Sequence, residues 1–187
     1  GGKIMNACYK SGHHSVLEFA DFTFHIEGVS RALLAQLTRH RHCSFAVRSQ
    51  RYCNENGFGY VIPHSIKNKG NVVLTNYMNM MDQIQEWYNY LQEEGIPNED
   101  ARYVLPNACD TILEIKLNGR ELVHLMNERL CTRAQWEIRE MCNLMKNEVK
   151  NYNDQCEMFS NFLVPKCEKY GKQFAFCPEH KSCGRHQ

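Results

Sequence analysis

The sequence predicts an α+β protein: one helix-rich domain with a small antiparallel or mixed sheet. Three observations predict it. Two short segments alternate apolar and polar residues, several longer ones repeat at helical spacing, and no repeat or low-complexity linker divides the 187 residues. At 43% hydrophobic, a chain of this length suits one compact domain that buries a core without disulfides or metal.

Each element can be justified in order. Residues 1–11 supply the end of a helix. Phe22, Phe24 and Ile26 then alternate with Thr23, His25 and Glu27, the pattern of a half-buried strand. From Val29 to His42 the spacing is helical, with Val29, Leu33 and Leu37 on one face and Arg39-His40-Arg41-His42 at the end that favours cations. A long helix is expected from Leu74 to Glu94, with a stripe of Tyr77, Met81, Ile84, Tyr88 and Leu91, stopped by Gly95 and Pro97. Asn98 can cap a short helix through Arg102 and Tyr103 that ends before Pro106. Thr111, Leu113, Ile115 and Leu117 mark a second strand, broken by Gly119. Helices follow over Glu121–Leu130, Arg133–Val149 and Gln155–Leu163, their Met and aromatic residues read as core.

A formal net charge of +1 gives no global attraction to nucleic acid or an anionic membrane. Most of the ten cysteines stand singly in periodic segments, where a thiol packs as a small apolar group. With no signal peptide and no apolar run long enough to span a bilayer, a reduced, cytoplasmic setting is expected.

The chemistry concentrates in Gln36-Leu37-Thr38-Arg39-His40-Arg41 and, seven residues on, Ser49-Gln50-Arg51-Tyr52. Arg39, Arg41, Arg48 and Arg51 would repel one another unless anions or solvent neutralise them, and their planar forks suit phosphate. A helix C-terminus cannot bind phosphate through its dipole, so side chains must do so. Two other readings stay open: a solvated basic face, and a nucleic-acid-binding module using the Arg39–Arg51 stretch. Glu86, Glu93, Glu94, Glu99 and Asp100 argue against a broadly basic surface. His124, on an apolar helix, can also be a core histidine, and Arg120 can simply pair with Glu121 or a neighbouring carboxylate. In the tail, Cys177-x-x-His180-x-x-Cys183 with Cys167 has spacing that suits zinc.

Several blocks carry a resemblance. Arg39-His40-Arg41, seven residues and Ser49 resemble the signature of flavin-dependent thymidylate synthases. Gly12-His13-His14-Ser15-Val16-Leu17-Glu18 with Phe22-Thr23-Phe24, and then Glu27-Gly28-Val29-Ser30-Arg31, resemble that family's first block. Arg102-Tyr103-Val104-Leu105-Pro106, Asn118-Gly119-Arg120-Glu121-Leu122-Val123-His124, and Arg129 with Ala134-Gln135-Trp136-Glu137-Ile138-Arg139 resemble later ones. The blocks keep family order across residues 12–139. Phe19 stands where a histidine is usual, Val47 where Glu or Gln is common, and the family's usual N-terminal strand and helix are largely absent.

The resemblance implies a single synthase domain over residues 1–187, with 164–187 a Cys/His-containing tail, in a homotetramer with shared active sites. It implies methylation of dUMP to dTMP, with methylenetetrahydrofolate as carbon donor and FAD reduced by NADPH as hydride carrier, and neither nucleic acid nor membrane as partner. By position, Ser15, Arg39, His40, Arg41, Val47, Asn118, Gly119, Arg120 and His124 would contact FAD. Gln36, Leu37, Thr38, Arg39, Val47, Arg48, Ser49, Gln50, Arg51, Arg102 and Arg129 would hold dUMP, with Val47 and Arg48 acting mainly through backbone. Arg129 would act on the uracil ring and is the expected catalytic residue.

Overall fold

A computed structural model describes residues 2–169, 177 and 179–184. Its elements are α1 (Gly2–Lys10), a 3-10 segment (His14–Phe19), β1 (Asp21–Ser30), α2 (Arg31–Leu37) and β2 (Ser44–Val47). They continue with α3 (His64–Lys67), α4 (Asn71–Glu93), α5 (Asn98–Ala101), a 3-10 turn (Arg102–Val104) and β3 (Asp110–Asn118). The helices α6 (Gly119–Arg129), α7 (Trp136–Tyr152) and α8 (Asp154–Ser160) follow. The fold is α+β and helix-rich, and its three-stranded antiparallel sheet has the order β1-β3-β2. Among the described residues no helix is long and apolar enough to cross a membrane.

The chain packs as two compact units: one of Gly1–Phe24, Leu37–Ser44 and Ile115–Gln187, the other of His25–Gln36 and Phe45–Glu114. In the second, Ile26, Val29, Leu33, Met81, Tyr88, Ala101, Cys109 and Leu113 are buried. The expected stripe of α4 holds: Met81 and Tyr88 are buried, and Tyr77, Ile84 and Leu91 are half-buried. That helix also shapes the loop after β2. The Tyr88 hydroxyl accepts from the Glu55 N–H at 3.1 Å. Gln85 Oε1 accepts from the N–H groups of Gly57 and Phe58 at 2.9 and 2.8 Å. A loop with no regular ladder thus has three of its backbone donors satisfied by one helix.

In the first unit the core is Leu17, Leu37, Leu117, Leu122, Leu125, Met126, Ile138, Met145, Phe159 and Leu163. Asn118 and Gln135 cap α6 and α7: the Asn118 side chain accepts from the Glu121 N–H, and that of Gln135 accepts from the N–H groups of Glu137 and Ile138. A Cβ at Gly119 would stand 2.8 Å from the Leu17 carbonyl oxygen and 3.0 Å from the Phe159 ring. β3 ends just before this glycine, as the sequence suggested, and Gly119 is also the buried first residue of α6, where close packing leaves no room for a side chain.

Other boundaries also differ. The helix expected over Val29–His42 is α2 alone, because β1 runs on through Val29 and the Ser30 hydroxyl then accepts from the Leu33 N–H at 3.0 Å. The Arg39–His42 run therefore lies in turns beyond the helix, closed by the Cys43 N–H donating to the His40 carbonyl. Pro97, not Asn98, sits at the N-cap of α5, with Asn98 already helical. The short elements β2 and α3, of four residues each, were not anticipated.

Candidate active site

In the first unit a cleft of about 800 Å³ is lined by His14, Glu18, His42, Asn118, Arg120, Glu121, His124, Asn127, Glu128, Lys166 and Lys169. The caps explain its position. Asn118 ends β3 and starts α6, so the N-terminus of an 11-residue helix opens onto the cleft with its positive dipole end. Arg120 projects there, its Nη1 donating to Glu18 Oε1 at 2.5 Å, both side chains about half exposed. The carboxylate partner expected for Arg120 is thus Glu18, 102 residues away in the chain, not its neighbour Glu121. Lys166 stands between Glu128 at 3.5 Å and Glu179 at 3.8 Å.

Behind this cleft lies a buried polar group. His40 is 7% exposed, and its ring meets the His124 ring edge-on at a centroid distance of 5.9 Å. The Arg129 Nε–H donates to His40 Nε2 at 3.1 Å, and Glu121 Oε1 lies 3.6 Å from His40 Nδ1. Burial, then the positive charge of Arg129, then His124, push the His40 pKa down to about 4, Glu128 opposing; burial outweighs the nearby Glu121 carboxylate. The imidazole is therefore neutral at pH 7. Its proton sits on Nδ1, facing Glu121, because Nε2 is used as acceptor.

His40, Glu121 and His124 also have ligand atoms within 4.8 Å of one another. A cation on His40 Nδ1 would require the proton on Nε2, opposing the Arg129 N–H, so this geometry favours the Arg129 hydrogen bond over a metal. Burial likewise raises the thiols of Cys43 and Cys142 to about 12, leaving them protonated and inert.

In the second unit the arginines find partners of the chain's own. Arg51 donates from Nε and Nη2 to Glu99 Oε2 at 3.0 and 2.8 Å, while Arg102 Nε donates to the Glu99 carbonyl at 3.0 Å. Arg48 reaches Glu55 Oε2 at 3.4 Å, and Arg31 Nη2 donates to the Arg48 carbonyl at 3.0 Å. Gln50 Nε2 donates to Cys109 Sγ at 3.5 Å, and Ser49 Oγ accepts from the Arg51 N–H at 3.3 Å.

The structure thus gathers His40, Asn118, Gly119, Arg120, His124 and Arg129 in one unit, and Arg48, Ser49, Gln50, Arg51 and Arg102 in the other. Ser15, Thr38, Arg39 and Arg41 are exposed, Leu37 is buried, and Gln36 and Val47 are half-buried. His40 itself is buried and outside the cleft lining. The proposed zinc set is not gathered: Cys167 is buried in the first unit's core and Cys183 is exposed, and among the described residues they form no group close enough to share an ion. Sequence reasoning missed His14, Lys166 and Lys169 in the cleft, and Glu18, Glu55 and Glu99 as arginine partners. No local spacing signals pairs that lie 48 or 102 residues apart.

Fold and site together describe an α+β protein with a polar cleft at a helix N-terminus, where Arg120, Lys166 and Lys169 stand among Glu18, Glu121 and Glu128. The family model described as thymidylate synthase complementing protein matches residues 2–152. The chain is 38% identical over 195 residues to the flavin-dependent thymidylate synthase of Nitratidesulfovibrio vulgaris, covering 99% of this chain and 76% of that one. It is 38% identical over 200 residues to that of Clostridium tetani, covering 98% and 77%, and 46% identical over 152 residues to that of Geobacter sulfurreducens, covering 79% and 62%. The chain belongs to the flavin-dependent thymidylate synthase family, an enzyme family, as its five sequence blocks implied. Nothing in these matches favours the nucleic-acid-binding alternative.

Proposed function

We propose that the chain forms dTMP from dUMP by reductive methylation, with methylenetetrahydrofolate as carbon donor and FAD, reduced by NADPH, as hydride carrier. One observation carries this reading: α6 opens onto the cleft through Asn118 and Arg120 and carries Arg129 in its last turn. The cleft fits a flavin dinucleotide. Its volume lies in the range of cofactor sites, and Arg120, Lys166, Lys169 and the α6 N-terminus match a diphosphate. When bound, the flavin supplies the hydride, and the protein orients and excludes water.

Asn118, Gly119, Arg120 and His124, with Ser15, Arg39, Arg41 and Val47, are the residues we assign to the flavin; His40, expected among them, is buried and outside the cleft lining and is given no direct contact. Gln36, Leu37, Thr38, Arg39, Ser49, Gln50, Arg51 and Arg102 hold dUMP, with the backbone of Val47 and Arg48. Arg51 already makes a forked contact with a carboxylate, and a phosphate takes the same donors. Ser49 is engaged by the Arg51 N–H, and among the described residues no base hydrogen-bonds its hydroxyl, so it binds rather than attacks. Arg129 steadies negative charge on the uracil ring, raising electron density at the ring carbon that takes the new carbon. Residues 1–187 act as one synthase domain with 164–187 as its tail, in a cytoplasmic homotetramer with shared sites.

Protein incubated with FAD and passed through gel filtration is expected to stay yellow, to elute as a tetramer by light scattering, and to form dTMP from dUMP, methylenetetrahydrofolate and NADPH. A colourless tetramer that makes no dTMP contradicts the reading. Tight, steeply salt-dependent binding of a single-stranded oligonucleotide would favour the nucleic-acid alternative instead.

A further inference from the structure

The geometry points to His40 as the positioning residue of Arg129: as a neutral base it accepts the guanidinium Nε–H and fixes the direction of the remaining donors. This rests on the assignment of Arg129 to the uracil ring. A guanidinium has five N–H groups in one plane, so holding Nε–H fixes the plane and aims the other four. His40 Nε2 does this at 3.1 Å from a site that is 7% exposed, where water offers little competition. The ring is held on both sides. Its own turn is closed by His40 N–H to the Leu37 carbonyl and Cys43 N–H to the His40 carbonyl, and Glu121 faces Nδ1 at 3.6 Å.

The choice of acceptor has a consequence. A carboxylate in this place would hold Arg129 equally well but would neutralise its charge, as Glu99 does for Arg51. A neutral imidazole holds the guanidinium and leaves its charge available to a ligand. The charged and titratable groups facing His40 are Arg129, Glu121, His124 and Glu128, all on α6. Protonating His40 would remove the acceptor and set an imidazolium against the guanidinium, and burial together with Arg129 opposes that.

A double-mutant cycle tests the role in the flavin-loaded enzyme. His40→Leu removes the acceptor, whereas His40→Gln offers an amide oxygen in its place. His40→Leu is expected to lower kcat at saturating dUMP by about tenfold to a hundredfold, the scale of a lost hydrogen bond to a charged group. His40→Gln should recover part of that, and the loss should vanish when Arg129 is already Ala. Fluorescence measures flavin retention alongside. If His40→Leu costs as much in the Arg129→Ala background as alone, or loses flavin in step with turnover, the positioning role is overturned. If Arg129→Ala by itself keeps full turnover, it is the assignment of Arg129 that fails. Should His40→Leu not fold, His40→Asn, too short to reach Arg129, replaces it; equal turnover in the Asn and Gln variants also overturns the role.

Discussion

Two arginines of this chain are held in opposite ways. Arg51 lies about half exposed with both donors on Glu99, so its charge is already balanced by the protein. Arg129 is half-buried and its recorded side-chain partner is a neutral histidine. The difference separates two tasks. A charge balanced by a carboxylate gives reversible binding, because an incoming phosphate replaces an equivalent anion. A charge held by a neutral acceptor keeps its field, which is what stabilising charge that develops only during a reaction requires.

Arg129→Ala sharpens this comparison most. It should lower turnover at saturating dUMP by about a hundredfold or more, the scale of removing one electrostatic donor. Arg129→Lys should restore little, since a point charge cannot present a planar fork to both His40 and a ligand. Reduction of bound flavin by NADPH does not involve the uracil ring, so stopped-flow traces of that half-reaction should match wild type. Near-normal turnover in Arg129→Ala would erase the contrast.

Gly119→Ala tests the frame on which Arg120 and Arg129 are mounted. The added methyl meets the Leu17 carbonyl at 2.8 Å and the Phe159 ring at 3.0 Å. Backbone at Leu17 gives little, so α6 must shift, at a cost of about 1–3 kcal/mol read from denaturant unfolding. Flavin retention should fall with it, while Arg51-dependent binding of dUMP changes less.

How much of this was legible in the sequence depends on range. The stripe Tyr77–Leu91 and the alternation Thr111–Leu117 were read correctly because periodicity is local, and β3 does bury Thr111, Leu113, Ile115 and Leu117. Boundaries set by side-chain capping were not: Ser30 starts α2 two residues later than the pattern of Val29, Leu33 and Leu37 implies. The four-residue β2 sits in a stretch whose arginines dominated its reading. At the site, order and type of residue were legible as motif blocks, but pairing was not. Arg51 finds Glu99 and Arg120 finds Glu18 only through the fold, and no spacing announces that His40 would lie buried against Arg129.

The buried histidine also leaves a mark on stability. Its pKa is held at about 4 in the folded chain against 6.5 when free. As pH falls from about 6.5 to 4 the unfolded chain takes up a proton that the folded one refuses, so stability is complete above this window and drops within it. The loss is on the order of 1–3 kcal/mol. Urea midpoints should therefore fall more steeply with acid in wild type than in His40→Gln. Burial raises the Glu55 pKa, an effect of opposite sign that is common to both proteins and cancels in the difference.

Glu99→Gln carries the smallest effect. Removing the carboxylate frees Arg51 from an exposed pair worth up to about 1 kcal/mol. The dUMP dissociation constant from calorimetry should then drop by up to about fivefold, with kcat unchanged. Weaker binding would mean that Glu99 orients Arg51 rather than competes for it.

The most direct test of a charge held by a neutral acceptor is nitrogen-15 spectroscopy of His40 at pH 7 in the wild-type protein. The account predicts a neutral ring with Nδ1 protonated and Nε2 bare, and an Arg129 Nε–H that exchanges slowly and becomes fast in His40→Leu. An imidazolium, or a ring protonated on Nε2, would contradict it.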